Sequence, residues 1–173
     1  MGIKPETLES GAVLKALILQ FLEDRKEETL YPVLQCLRDS LVWIPGTMQM
    51  NEEDLQKFAN GKVGDTISND YEIKFVPDIL QNGDEKFFPV FSSAEEMGDY
   101  GAHFSKVQKH FFEAMSYAVG KEETVGIVVN AFSTPFVVPK AWFDTIGHLP
   151  TMLDLDEEPT NQFGSQNLGR RIL

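Results

Sequence analysis

Two histidines seven positions apart, His103 and His110, are the first residues whose type and spacing suggest chemistry. On one helix that spacing puts both rings on a shared face, as a metal site needs. Zinc takes three or four convergent ligands, and the only nearby carboxylates are Asp99 and Glu113. Solvated histidines are the plainer reading, and no metal is expected. The run DLDEE (154–158) alternates acids as a calcium loop does. It lacks that loop's glycine and its late bidentate glutamate, so it reads as a solvated charge run. Ser92, Ser93 and Ser133 have no histidine placed in sequence to suggest a triad, and the G-x-S-x-G elbow is absent. No glycine-rich loop leads from a strand into a helix with a lysine, which leaves a phosphate cradle without support. Cys36, the single cysteine, can form neither an intrachain disulfide nor a cysteine zinc cluster. With no basic residue or histidine beside it, it reads as a buried, inert thiol. No catalytic residue and no cofactor is expected.

The aromatic residues remain. Phe136 and Trp142 fit strand and helix periods and are explained by core packing. Phe132 sits in a turn, where no period accounts for it, and it is expected to be exposed. Phe132, Asn130 and Trp142 are the candidate contacts for a protein partner.

The chain has 173 residues and a formal charge of −12. That length suits one domain able to bury a core. Phosphate binders need a cationic footprint; this field repels nucleic acid and anionic lipid, so neither is expected as a partner. Acidity also keeps a protein soluble. The apolar run GAVLKALILQFL (11–22) resembles a signal peptide only briefly. Lys15 interrupts it, Glu6 and Glu9 precede it, and no small-residue cleavage site follows. It is too short to span a bilayer. A packed helix and a cytoplasmic protein are expected.

The elements that must position these residues follow from period and punctuation. Residues 6–24 read as a helix, with Leu14, Leu17, Ile18, Phe21 and Leu22 on one stripe. A second helix covers about 30–40, with Pro32 in its first turn; the two form a helical hairpin. LVWIP (41–45) reads as a strand, and NEEDLQKFAN (51–60) as a short helix capped by Asn51 or else a loop. YEIKFV (71–76) alternates, with Tyr71, Ile73 and Phe75 on one face. Asn82-Gly83 marks a turn. KFFPVF (86–91) is a strand apolar on both faces. Its Pro89 requires an edge position or a missing donor that points outward. Ser93 and Glu96 read as a capping box. Residues 104–119 read as the longest helix, with Phe104, Val107, Phe111, Met115 and Ala118 buried and Lys106, His110, Glu113 and Tyr117 outside. TVGIVV (124–129) is a central strand, NAFSTP a turn, FVVP (136–139) another strand, and Pro139 opens a last helix over 140–147. The expected organisation is one domain over 1–148 and a loosely held tail over 149–173.

The order of these pieces resembles a family. SLVWIP, then GDEKFFPVFSSAEEM, then TVGIVVNAFSTPFVVPKAWFDTI, is similar to the N-terminal domain of the bacterial SseB (enhanced serine sensitivity) proteins, over roughly residues 28–148. Phe88, Pro89, Val90, Phe91, Ser93, the pair Val129-Asn130 and Pro139 carry the match. Ala131 and Phe132 stand where the family usually has Pro and Gly, which implies a differently shaped turn. The family's second domain is expected to have no counterpart after residue 148. The matched residues specify a fold and no catalytic inventory.

The fold class expected is α+β: a mixed, mainly antiparallel sheet of about five strands packed by helices, with the hairpin at the N-terminus. The function expected is a non-enzymatic binding or adaptor module with a protein partner. Two alternatives stand beside it. One is a small-ligand binder or enzyme whose site forms only in three dimensions. The other is an acidic inhibitor or immunity-type protein for a basic partner.

Overall fold

The computed structural model describes residues 2–61 and 72–154. After a 3-10 turn at Pro5–Leu8, helix α1 (Ala12–Asp24) begins at Gly11. Gly11 has φ +79, and a Cβ there would lie 2.2 Å from the Ser92 carbonyl oxygen, so only glycine fits. The helix expected over 6–24 is therefore broken at Gly11. Helix α2 (Glu27–Asp39) starts three residues earlier than its pattern suggested. Pro32 thus lies inside the helix rather than in its first turn. The donor it removes would have reached the exposed residue Glu28, where water can substitute.

Strand β1 (Leu41–Met50) follows, then α3 (Glu52–Ala59). Asn51 caps α3 as expected, its Oδ1 accepting from the Asp54 N–H at 2.7 Å. Strand β2 (Ile73–Pro77) pairs antiparallel with β1. Ile73, expected on a covered face, is 58% exposed, because the strand lies at a sheet edge. Tyr71 and most of the turn-rich stretch 61–70 lie outside the described residues. Strand β3 (Leu80–Asn82) turns through Gly83, at φ +65, into β4 (Glu85–Val90).

The segment 104–119 departs most from its pattern. It is not one helix: Ser105–His110 forms strand β5, and only Phe111–Gly120 is helical, as α4. β5 pairs residue for residue with Leu41–Gly46 of β1. The ladder bonds available at that edge outweigh the helical spacing of Val107, Phe111 and Met115. Strands β6 (Thr124–Val129) and β7 (Phe136–Pro139) and helix α5 (Phe143–Gly147) stand where expected.

The α+β class, the mainly antiparallel pairing and the helical hairpin are as expected. Among the described residues seven strands form two sheets, β2-β1-β5 and β3-β4-β6-β7. Within these two sheets β4 and β6 pair parallel and the other neighbours antiparallel. The sheets meet at one bridge, Trp43 with Phe91, which exchange backbone bonds of 2.8 and 2.9 Å. Pro89 sits at this division. On one side of β4, Phe87 pairs with Leu80 of β3 and Phe91 pairs with Trp43 of β1. Pro89 falls between the two partners, where no ladder donor is needed. β4 is thus interior in its sheet, and the outward-pointing missing donor explains the proline.

Alternation sends Phe88 and Val90 into the main core with Ile127, Val129, Phe136 and Val138. The hairpin helices cover that core with Leu14, Ile18, Val33 and Leu37, and α4 adds Phe111, Ala114 and Ala118. Cys36 is fully buried there, and burial pushes its thiol up to about 11. Residues 149–154, at the start of the segment expected as a tail, are docked. Ile3 and Leu153 form a parallel bridge, and Asp39 accepts from the Thr151 hydroxyl and the Met152 N–H, both at 2.7 Å. Among the described residues no helix is long and apolar enough to cross a membrane.

Candidate functional site

Leu80, Phe87, Pro89, Val128, Val137 and Pro139 occupy the face of the four-stranded sheet opposite the main core. These six are apolar, and Asn82 and Glu85 continue the same face as its polar end. The turn between β6 and β7 lays Phe132 along this face. A depression of about 330 Å³ opens there, lined by Leu80, Phe87, Val128, Phe132, Pro135 and Val137 among others. Phe132 is 54% exposed and Val137 42%.

Phe132 is held by a second aromatic cluster, separate from the main core. Its ring stacks on Phe91 at 6.0 Å and meets Tyr100 at 4.9 Å; Tyr100 in turn meets Phe104 at 4.7 Å. Tyr100 comes from a 3-10 segment, Ala94–His103, that is interrupted at Gly98. Its hydroxyl donates to Asp78, and burial first, then that bond, push its acidity far below an ordinary phenol's. The capping box read at Ser93 and Glu96 does not form: Ser93 makes no side-chain cap bond. The Glu96 carboxylate instead accepts from Lys15 of α1 at 2.6 Å and from the Ser133 hydroxyl. Those bonds, Lys15 first, hold it below the usual carboxylate range. Glu96 thereby ties α1 and the Phe132 turn to the aromatic cluster.

The turn's shape is set by Asn130. Its φ of +53 is left-handed, a conformation asparagine tolerates better than most residues. Its side chain is wholly buried, accepting from the Ser92 N–H at 2.9 Å and donating to the Ser92 hydroxyl at 3.0 Å. Of the three candidate contacts, Phe132 is therefore open to solvent and Asn130 is an internal pin. Trp142 is half-buried against the main core. Tyr100, Glu96 and Lys15 were missed from sequence. Their partners lie 22 to 81 residues away, and no local spacing links them.

Titratable groups converge elsewhere, in a cavity of about 350 Å³ lined by Leu8, Glu9, Arg38, Asp39, His110 and Thr151 among others. Arg38, Asp39, His110 and Thr151 there already serve the fold. Arg38 donates to Asp39 at 2.9 Å and to the Leu149 carbonyl at 2.8 Å, and lies over the Phe112 ring. Both Asp39 oxygens are occupied. His110 is the N-cap of α4, its Nδ1 accepting from the Phe112 N–H at 3.0 Å. Burial and then the Arg38 charge hold its pKa below the ordinary value, against the pull of Asp39 and Glu113. A catalytic base must be free to take a proton, and neither Asp39 nor the His110 Nδ1 is.

His103 lies at the end of the 3-10 segment and His110 at a strand–helix junction, so the two do not share a helix. Among the described residues, no group of three His, Cys, Asp or Glu side chains is placed to hold a metal ion. Of the DLDEE run only Asp154 lies within the described residues. Ser92 bonds Asn130 and Ser133 bonds Glu96, so neither is partnered by a histidine.

A family model described as the SseB protein N-terminal domain matches residues 14–141 of the chain. No curated protein and no solved structure matches it.

Proposed function

The chain belongs to the SseB N-terminal domain family, and from that premise we propose that it is a non-enzymatic protein-binding module of adaptor type, acting in the cytoplasm. Its partner docks an apolar segment flanked by basic residues on the outer face of the four-stranded sheet. The observation that carries this reading is the exposed Phe132, fixed by Phe91 and Tyr100 over an apolar depression. A rigid aromatic loses little entropy on binding, and such anchors dominate interface energetics. Asn130 acts through the turn it shapes, as a positioning residue. The formal charge of −12 supports a partner rich in basic residues and speeds its encounter.

A photo-crosslinking residue at position 132, compared with one at the exposed Leu19 on α1, tests the reading in living cells. Position 132 is expected to give a discrete adduct that position 19 does not, and Val137→Glu on the same face is expected to abolish it. Equal patterns from both positions, or an adduct indifferent to Val137→Glu, refute the docking face.

A further inference from the structure

β1 is longer than its cover on either side. β5 pairs with it from Leu41 to Gly46, and β2 on the opposite side from Gly46 to Met50. In an antiparallel strand each residue sends its N–H and C=O to the same side, and successive residues alternate. Trp43 bonds Phe91 of β4, and the Pro45 carbonyl accepts from the Asp78 N–H at 2.9 Å. Odd-numbered residues of β1 therefore point toward β4 and β2. Even-numbered ones point toward β5, as the Ser40 carbonyl does in accepting from the Phe111 N–H at 3.0 Å. Past Gly46, β5 has ended. The N–H and C=O groups of Met48 and Met50 face an edge with no strand beside it among the described residues. Met48 is 50% exposed, and Thr47 and Gln49 are exposed as well.

We propose that this edge of β1 is a docking site for an extended, basic segment of a partner protein, added antiparallel as a strand in line with β5. Backbone pairing supplies the recognition and the adaptable Met48 side chain a contact surface. Charge selects the occupant. Glu52 and Glu53 follow Met50 closely and Glu72 precedes its partner Ile73, three exposed carboxylates against one exposed lysine, Lys74, which pairs with Gln49. The nearest lysine of β5, Lys106, is committed to the Gly101 carbonyl at 3.3 Å. A second copy of the chain is disfavoured by the same charges, since two-fold pairing sets this acidic segment against itself. The site is separate from the Phe132 face and does not depend on it.

The test uses a fluorescent probe peptide, acetyl-Lys-Val-Lys-Val-Lys-Val-amide, followed by anisotropy. Saturable binding is expected. It should weaken about tenfold or more when alternate peptide amides are N-methylated, because the lost bonds are the recognition. Replacing the peptide lysines by glutamates should weaken it similarly. Met48→Pro removes an N–H that no ladder bond uses and should abolish binding while the urea midpoint stays near that of the wild type. Absent binding, equal binding of the methylated and unmethylated peptides, or a dimer dissolved by Met48→Pro each overturns the proposal; the last would assign the edge to a second copy.

Discussion

Replacing Asn130 by alanine removes both bonds to Ser92. Ser92 is itself buried, so its N–H is left without a partner. An orphaned buried donor costs about 1–3 kcal/mol, and alanine at the left-handed φ of +53 adds about 1 kcal/mol. The expected loss is about 2–4 kcal/mol, a large share of a typical domain stability of about 5–15 kcal/mol. At this chain length each kcal/mol moves the melting temperature by about 2–4 °C. Urea unfolding of Asn130→Ala, Asn130→Gly and Ser92→Ala separates the contributions. Glycine should recover about 1 kcal/mol relative to alanine by relieving the backbone. Ser92→Ala should cost about 1–3 kcal/mol, since the backbone N–H keeps its Oδ1 acceptor but the buried Asn130 Nδ2 loses the hydroxyl it donates to. An Asn130→Ala protein within about 0.5 kcal/mol of the wild type refutes the reasoning.

His110 favours its neutral form in the fold, so its contribution to stability is complete above its free value of about 6.5 and is lost as pH falls below it. His110→Asn keeps an acceptor for the Phe112 N–H without titrating; its unfolding midpoint is expected to fall less steeply than the wild type's between about pH 6.5 and 5, and parallel curves would remove His110 as the cause. Cys36, buried and pushed up to about 11, should resist iodoacetamide at neutral pH and react fully in denaturant; stoichiometric labelling of the native protein would contradict its burial.

Locally encoded features were legible in the sequence. β6 and β7 are bounded by their own turns, Asn51 caps α3, and Phe132 stood out as an aromatic that no period explained. The segment 104–119 was not legible. Val107, Phe111 and Met115 satisfy a helical spacing, and what makes a strand of 105–110 is an edge supplied by β1, more than fifty residues earlier. The same distance problem hid Glu96. Its short-range reading as a cap was sound chemistry, but Lys15 and Ser133 offer that carboxylate better partners. The docking of 149–154 likewise depends on Asp39, over a hundred residues upstream. At Pro89 the sequence left two explanations open, and the division between the sheets selects one.

That division bears on how the molecule comes apart. Near Pro89 the two ladders share little backbone bonding beyond the exchange between Trp43 and Phe91. A fluctuation that parts them there breaks few backbone bonds, whereas the parallel contact of β4 with β6 runs unbroken from Phe87 to Val90. Val42 and Ile44 of β1 share the core with β4 and β6, so the part of the β2-β1-β5 sheet beyond Gly46 is the one to loosen first, and the amides of β2 should exchange with solvent hydrogen ahead of those in β6. One proline, placed where no donor was wanted, marks the line where backbone bonding between the two sheets is thinnest.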